Sequence, residues 1–268
     1  MTGPATDLPE AWELPSFETY ELAARKHDYC LIIPVINEGS RFTDQLRRLA
    51  ALAPPVDVII ADGGSSDGSM GIDGLLLFGV RTLLVKTGPG KLSAQLRMGF
   101  AYAIMQGYLG IIIVDGNGKD GVEAVPSFVT ALREGYDFVQ GSRYVPGGVA
   151  INTPLDRTLA VKLFHAPLLS IAARFRYTDT TNGFRAFSRR FLLDGRVQPF
   201  RDVFDSYNLH YYLSIRAPRL GFRVCELPVR RAYPAGGQAP TKIRGLAGRL
   251  LIIRQLLLSV TGAYDPPP

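Results

Sequence analysis

Hydrophobic residues form short continuous runs in the first half of the chain, and segments with helical spacing separate these runs. The continuous runs lie at 29–35, 56–61, 80–85 and 110–114. Apolar positions with helical spacing lie at 40–53, 69–79 and 92–107. Strands that are apolar throughout and alternate with helices predict a parallel sheet that helices cover on both faces.

The alternation weakens after residue 148. Helical patterns near 156–174 and 203–217 flank a polar segment at 178–185, and a further strand is predicted at 221–226. We interpret this half as an elaboration of the same domain, because 268 residues can form one large core.

Polar clusters follow each of the first four predicted strands. They occupy positions 34–38, 62–68, 86–91 and 115–117. In parallel sheets the carboxyl ends of the strands meet at one edge, and ligands bind there. The sequence therefore predicts that the four clusters converge on one site.

The clusters carry a family resemblance. Pro-Val-Ile-Asn-Glu at 34–38, Asp-Gly-Gly-Ser-Ser-Asp-Gly at 62–68, Asp-Gly-Asn at 115–117 and Gly-Ser-Arg-Tyr at 141–144 resemble, in this order and spacing, the family 2 glycosyltransferases. Segments 179–185 and 219–229 extend the similarity to polyprenyl- or dolichyl-phosphate hexosyltransferases. The resemblance implies an α/β fold of the GT-A (Rossmann-like) type, a mostly parallel sheet flanked by helices, with acceptor-side helices towards the C-terminus.

We expect three parts along the chain. Residues 1–27 form an N-terminal extension, and residues 28–240 form the GT-A domain, with a donor half at 28–148 and an acceptor half at 149–240. Residues 241–268 form a basic amphipathic C-terminal helix and tail.

The resemblance implies an inverting enzyme that moves a hexose from a UDP- or GDP-sugar to a polyprenyl phosphate. The donor-binding residues that it implies are Pro34, Val35, Asn37, Glu38, Asp62, Gly64, Lys91, Arg97, Asp115, Gly116 and Asn117. Glu38 would contact the ribose and Asp62 the base. Residues 62–67 are also typical of a simple turn between a strand and a helix.

Asp115 and Asn117 occupy the position of the family's Asp-x-Asp motif, which implies a divalent cation, Mg²⁺ or Mn²⁺, on the diphosphate. Asn117 replaces the second Asp of that motif, and the ammonium of nearby Lys119 cannot coordinate a metal. Two alternatives follow. The cation is held weakly by Asp115 with Asn117 or Asp120, or Lys119 supplies part of the positive charge itself.

Basic residues of the acceptor half, together with Arg143 near the end of the donor half, are candidates to bind the acceptor phosphate, because a guanidinium matches phosphate oxygens. These candidates are Arg143, Arg185, Arg231 and Lys242. The predicted catalytic residues are Asp115, Arg143, Arg185, Asp202 and Asp205. A phosphate acceptor is already an anion, whereas a hydroxyl acceptor needs a base.

Asp202 or Asp205 would supply that base in an alternative function. In this alternative the chain is a soluble glycosyltransferase that acts on a hydroxylated small molecule in natural-product or cell-envelope biosynthesis. Both acids are equally typical of residues at the start of a helix. His27, His165 and His210 are scattered, and we interpret them as structural.

The net charge of +6 fits an anionic ligand. Nucleic acid is not expected as a partner, because Asp62, Asp67 and Asp115 would repel a polyanion. A nucleotidylyltransferase is also disfavoured, since residues 34–38 lack the Gly-rich, Arg-containing loop of those enzymes. Cys30 and Cys225 lie in apolar runs, which indicates buried thiols and a reducing compartment.

The C-terminal segment has apolar residues at helical spacing beside basic ones. Such a helix binds an anionic membrane surface or packs on the core. The N-terminal residues do not resemble a secretory signal. We therefore expect a cytoplasmic protein, peripheral on the cytoplasmic face of the membrane if the helix binds there. Homo-oligomer formation is left open.

Overall fold

The computed structural model describes residues 11–235 and 245–267, so the predicted acceptor-phosphate residue Lys242 lies outside the described part. The strands are β1 (Phe17–Glu21), β2 (Tyr29–Val35), β3 (Asp57–Asp62), β4 (Val80–Lys86), β5 (Gly110–Ile113), β6 (Phe138–Ser142), β7 (Val149–Ile151), β8 (Arg185–Ser188), β9 (Val224–Pro228) and β10 (Arg230–Ala232). The α-helices are α1 (Ser40–Leu52), α2 (Ile72–Leu77), α3 (Leu92–Met105), α4 (Val125–Arg133), α5 (Leu155–Ala160), α6 (Ala166–Ala173), α7 (Arg189–Leu193), α8 (Asn208–Arg219) and α9 (Gly245–Val260). A 3₁₀ turn (Val122–Ala124) precedes α4, and a π-helical turn (Val161–His165) joins α5 to α6.

Eight strands form one sheet in the order β1-β4-β3-β2-β5-β8-β6-β9. Strands β4, β3, β2 and β5 run parallel to their neighbours in this series, and β6 runs parallel to β9. Strands β7 and β10 form a separate parallel pair. The predicted mostly parallel α/β sheet is therefore confirmed.

Helices cover both faces of this sheet. Along β2, Cys30 and Ile32 face a core shared with residues of α3, α6 and α8, whereas Leu31 and Ile33 face a core shared with residues of α1 and α4. Each fully buried aliphatic side chain contributes about 1.5–3 kcal/mol to the free energy of folding. The continuous apolar runs arise because each strand has a core on either side.

Two antiparallel strands were not expected from the sequence. Strand β1 pairs with β4 at the sheet edge, with Phe17 opposite Lys86, so the segment expected to be an extension contributes a strand. Strand β8 is inserted between β5 and β6 and runs against both. The N-terminal end of β8 therefore lies at the carboxyl ends of its neighbours.

The strand order reverses between β2 and β5, and the chain passes very close to itself there. The Gly116 N–H donates to the Pro34 carbonyl at 3.1 Å. A Cβ on Gly116 would lie 2.9 Å from the Cβ of Val35, so a larger residue would collide. Such a switch point is where α/β sheets bind ligands.

Within residues 11–235 and 245–267, no helix combines the length and the apolar content needed to cross a bilayer.

Candidate active site

A cavity of about 640 Å³ opens at this edge of the sheet. Its volume lies in the range of small-molecule sites, about 300–1,000 Å³. The cavity brings together predicted residues of both halves. Those that line it are Pro34, Val35, Glu38, Lys91, Asp115, Gly116, Asn117, Arg143, Arg185 and Arg231.

The loops after β2 and β3 are joined by side chains that bond to backbone. The Asp62 carboxylate accepts hydrogen bonds from the N–H groups of Gly64 and Ser65. The Asn37 side-chain oxygen accepts from the Ser66 N–H at 2.8 Å. Asn37, Asp62 and Gly64 do not line the cavity. Asp62 forms the turn between strand and helix that the sequence also suggested, and its predicted contact with the base stays a prediction.

Gln95 of α3 fixes the ends of these two strands, a role not predicted from the sequence. Its side-chain amide donates to the Val35 carbonyl at 2.9 Å and to the Ala61 carbonyl at 2.8 Å. The Val35 carbonyl also accepts the Gly63 N–H at 2.8 Å, so Gln95 adds a second bond at this strand end and ties it to the end of β3. A lone glutamine in a helix gives no sequence signal for this role.

Three predicted residues lie away from the cavity. Arg97 donates to the backbone carbonyl of Glu13, so it is turned towards the N-terminal segment rather than the donor site. Asp202 and Asp205 have exposed side chains and do not line the cavity. The backbone carbonyl of Asp205 accepts the Lys91 N–H at 2.6 Å, which holds the loop after β4 in place.

A buried cluster of charges surrounds the end of β5. Arg231, from β10, donates to the Asp115 carboxylate at 2.8 Å and pairs with the Asp120 carboxylate at 2.5 Å. Burial is the largest single influence on Asp115 and would raise its pKa, but the charge and hydrogen bond of Arg231, together with the charges of His210 and Lys119, lower that pKa. Burial does raise the pKa of Asp120, although Arg231 opposes the change. Arg231, predicted to bind the acceptor, thus lies beside the predicted donor residue Asp115.

Arg143 follows β6 and forms a buried bidentate pair with Asp179. Its Nε lies 2.7 Å from one carboxylate oxygen and its Nη2 lies 2.9 Å from the other. Burial would raise the pKa of Asp179, but hydrogen bonds from Arg143 lower it. The pair keeps the guanidinium at the cavity wall in one orientation.

Arg185 organises the segment 178–185 through carbonyl groups. Its guanidinium donates to the backbone oxygens of Thr180, Asn182 and His210. Glu226 of β9 accepts the N–H groups of Thr178 and Asp179 at the start of the same segment. The fully buried guanidinium of Arg185 thus already donates to three carbonyls, and its predicted contact with the acceptor phosphate stays a prediction.

The cavity also has lining residues that sequence reasoning missed. They are Lys86, Gln95, Arg157, Thr180, Asn182, Tyr207, Tyr211 and Tyr233, together with His165 and His210, which were interpreted as structural. Burial lowers the pKa of His210 well below its usual value, and the charge of Arg185 adds to this effect. His210 is therefore a neutral imidazole at pH 7. Spacing alone could not place these residues, since they come from distant segments.

Comparison with known proteins identifies the class of the molecule. Glucosyl-3-phosphoglycerate synthase from Mycobacterium tuberculosis, solved with Mn²⁺, UDP and glucosyl-3-phosphoglycerate, superimposes with a TM-score of 0.60 and 20% identity over 91% of this chain and 82% of that one. Polyprenol monophosphomannose synthase of Mycolicibacterium smegmatis is 29% identical over 205 residues, which cover 74% of this chain and 75% of that protein. The chain is a glycosyltransferase with the GT-A fold.

Another relative of this glycosyltransferase is the undecaprenyl-phosphate mannosyltransferase of Micrococcus luteus. It is 29% identical over 209 residues, which cover 74% of this chain and 81% of that protein. No protein-family model matches the glycosyltransferase. The predicted resemblance to polyprenyl-phosphate hexosyltransferases is confirmed by these relatives.

The side chains at the predicted metal position fit a divalent cation poorly. Solved neighbours bind Mn²⁺ together with UDP. Here Asp115 is already bonded by Arg231, and the Asp120 side chain is fully buried against the same guanidinium. Among the described residues, no group of three His, Cys, Asp or Glu side chains could hold a metal. One part-exposed carboxylate and the amide of Asn117 remain as donors.

Proposed function

We propose that this glycosyltransferase transfers a hexose from a nucleoside diphosphate sugar to a polyprenyl phosphate. The observation that carries the proposal is a cavity that joins the loops after β2 and β5 to basic residues of the acceptor half. An oxygen of the acceptor phosphate attacks the anomeric carbon of the sugar. The bond from that carbon to the diphosphate breaks, and the nucleoside diphosphate leaves.

The charged groups at the cavity wall support a phosphate acceptor. Arg143 and Arg157 line the acceptor side of the cavity. The geometry of their guanidinium groups matches phosphate oxygens. Among the described lining residues the carboxylates are Glu38 and Asp115. Glu38 is paired with Arg41 and Asp115 with Arg231. A phosphate monoester suits such a site because it attacks as an anion and needs no base.

Asp115, Arg143 and Arg185 have different roles in the proposed reaction. We propose that Asp115 faces the donor and that Arg143 binds the acceptor phosphate, since both line the cavity. Arg185 acts by shaping the segment 178–185. A divalent cation on Asp115 and Asn117 stays a prediction, which the solved neighbours support and the surrounding cations do not.

An exposed apolar surface beside the cavity supports binding to a membrane. Leu155, Leu159, Leu163 and Phe164, on α5 and the π-helical turn, are exposed, and Arg157, Val161 and His165 from the same segment line the cavity. On α9, Leu250, Ile253 and Leu257 are also exposed, whereas Leu256 is buried. We propose that these two apolar surfaces rest on the cytoplasmic face of the membrane, where they bring the cavity to the lipid phosphate.

Flotation with vesicles of phosphatidylglycerol tests this surface. We expect Leu163→Gln with Phe164→Gln to reduce binding, because apolar side chains leave the interface. Leu77 on α2 is similarly exposed, and α2 adjoins the core that α1 and α4 cover. Leu77→Gln is the matched control and should bind normally. Equal binding by all variants would contradict the proposed surface.

Transfer of radiolabel tests the function itself. The protein is incubated with UDP- or GDP-hexose labelled in the sugar and with a short polyprenyl phosphate, and the products are partitioned between organic and aqueous phases. We expect label in the organic phase, none with the unphosphorylated polyprenol, and strong loss for Asp115→Ala. Label that stays wholly in the aqueous phase would contradict the polyprenyl phosphate acceptor.

A further inference from the structure

The position that would bind a divalent cation in this fold contains two side-chain cations. Arg231 lies between Asp115 and Asp120 and bonds to both carboxylates. Lys119 is buried beside them and lines the same cavity, with its ammonium 5.0 Å from the centre of the Tyr233 ring. Both cations are side chains of the protein, so they are present whether or not a metal ion is bound.

The charges of this cluster balance. Asp115 and Asp120 contribute two negative charges, and Lys119 and Arg231 contribute two positive charges. Two carboxylates with one divalent cation would have the same net charge of zero. A guanidinium is not deprotonated in proteins, so the charge of Arg231 is permanent. A further divalent ion would add charge to a cluster that is already neutral.

The position of Arg231 is fixed by backbone as well as by charge. Its strand β10 pairs with β7, with Arg231 opposite Ala150, and Arg231 also forms a bridge with Asp120. The Ala232 N–H donates to the Lys119 carbonyl at 2.9 Å. These bonds hold the segments that carry Lys119 and Arg231 against each other at the cavity wall.

We infer that Arg231, with Lys119, supplies the positive charge that stabilises the donor diphosphate, so that donor binding does not require a divalent cation. The inference rests on the proposed function. A fixed cation in a site that excludes water acts strongly on a phosphate charge and needs no reorganisation when the diphosphate leaves. The chain would thus differ from the solved neighbours that bind Mn²⁺ with UDP.

Calorimetry with UDP and GDP tests the inference without relying on turnover. Binding is measured for the full chain in EDTA and in Mn²⁺. We expect the Kd of the nucleotide that binds to differ by less than about threefold between EDTA and Mn²⁺. Such a difference is well below a factor of ten in Kd, which corresponds to about 1.4 kcal/mol. Arg231→Gln should raise the Kd in EDTA at least about tenfold, on the scale of one charged hydrogen bond.

Arg230→Gln is the matched control. Arg230 precedes Arg231 on β10, carries the same charge and is exposed, so its loss should leave the Kd unchanged. If Arg231→Gln does not fold, the inference is tested by Lys119→Gln and by the comparison of wild-type binding in EDTA and in Mn²⁺. Lys119→Gln should also weaken binding in EDTA.

Three results would overturn the inference. Wild-type protein that binds nucleotide only with Mn²⁺ would show that the metal is needed, while the proposed function would stand. Folded Arg231→Gln protein that binds in EDTA as tightly as wild type would show that the guanidinium only stabilises the fold. Failure of both nucleotides to bind in either condition would remove the proposed function as well.

Discussion

The two sides of the cavity use their polar side chains differently. On the donor side, Asn37 and Asp62 accept hydrogen bonds from the backbone of neighbouring loops. On the acceptor side, buried polar atoms of Thr180, Asn182 and His210 have no hydrogen-bond partner among the described residues. These two donor-side side chains are satisfied by the protein, whereas these three residues at the cavity wall each keep a buried atom without a partner among the described residues.

This difference indicates where ligand chemistry is recognised. A buried polar atom without a partner costs about 1–3 kcal/mol, so a fold seldom keeps several together without a ligand or water for them. On the donor side, Asn37 and Asp62 fix the loops, so we expect these loops to recognise a ligand mainly by shape and backbone. The segment 178–185 keeps free hydrogen-bonding capacity. We expect changes of substrate specificity to arise mainly there.

The acceptor side depends most on the buried Arg143 and Asp179 pair. Asp179→Ala should lower the free energy of unfolding by about 3–5 kcal/mol, because it leaves a guanidinium buried without its partner. Urea denaturation measures this change. Asp194→Ala removes the part-exposed pair with Arg196 and should cost about 1 kcal/mol or less. Equal losses for the two variants would contradict the comparison.

Gly183 tests the contact between the two sides. A Cβ at this position would overlap the Asp115 carboxylate, so Gly183→Ala should push Asp115 away from Arg231 and reduce turnover at least about tenfold, or 1.4 kcal/mol in activation free energy. Steady-state kinetics measure the loss. Gly195 has nothing within 4 Å of an added Cβ, and Gly195→Ala should keep full activity. An active Gly183→Ala enzyme would show that the two sides work independently.

The neutral His210 predicts a pH dependence of stability. Burial keeps its folded pKa well below the usual value, whereas the unfolded chain takes up a proton near pH 6.5. As the pH falls below about 6.5, the unfolded state binds more protons, and the free energy of unfolding should decrease by up to about 1.4 kcal/mol per pH unit.

Urea denaturation at pH 7.5, 6.5 and 5.5 measures this slope. His210→Gln should show a smaller decrease than wild type, while His165, whose pKa burial also lowers, contributes equally to both proteins. Identical slopes would mean that His210 accepts a proton in the folded state.

Thr180→Val should have the smallest effect on stability. It removes a buried hydroxyl without a partner and keeps the shape of the side chain, so we expect a change of about 0.5 kcal/mol or less. Substrate affinity should fall nevertheless. Ser65→Ala, on the donor side, removes hydrogen bonds to Asp62 and Asn37 and should destabilise the fold more. A large loss of stability in Thr180→Val would mean that its hydroxyl is satisfied.

The parallel part of the fold followed from the sequence because each strand is apolar throughout and a helix follows it. Strands β2 to β5 were predicted within one or two residues. Strand β1 was missed since its alternating Phe-Glu-Thr-Tyr-Glu pattern is only half-buried, and β8 was missed because four residues are too few to show a pattern.

The sequence motifs predicted which residues lie at the site, but they did not predict which side chains bond to each other there. Asp115, Arg143 and Arg231 line the cavity as expected. The sequence could not show that Arg231 bonds to Asp115, because 116 positions separate them and only tertiary contacts, such as the bridge between Arg231 and Asp120, bring them together. The orientation of Arg97 was missed for a related reason, since the packing of α3 against residue 13 decides it.

The reversed direction of β8 has a consequence for how such enzymes diversify. A parallel strand between β5 and β6 would begin at the opposite edge of the sheet, but β8 begins at the edge that holds the cavity. Insertions or deletions in the loop before it would reshape the pocket and leave the neighbouring strands in register. We therefore expect that acceptor preference can change through this one loop while the parallel part of the sheet stays intact.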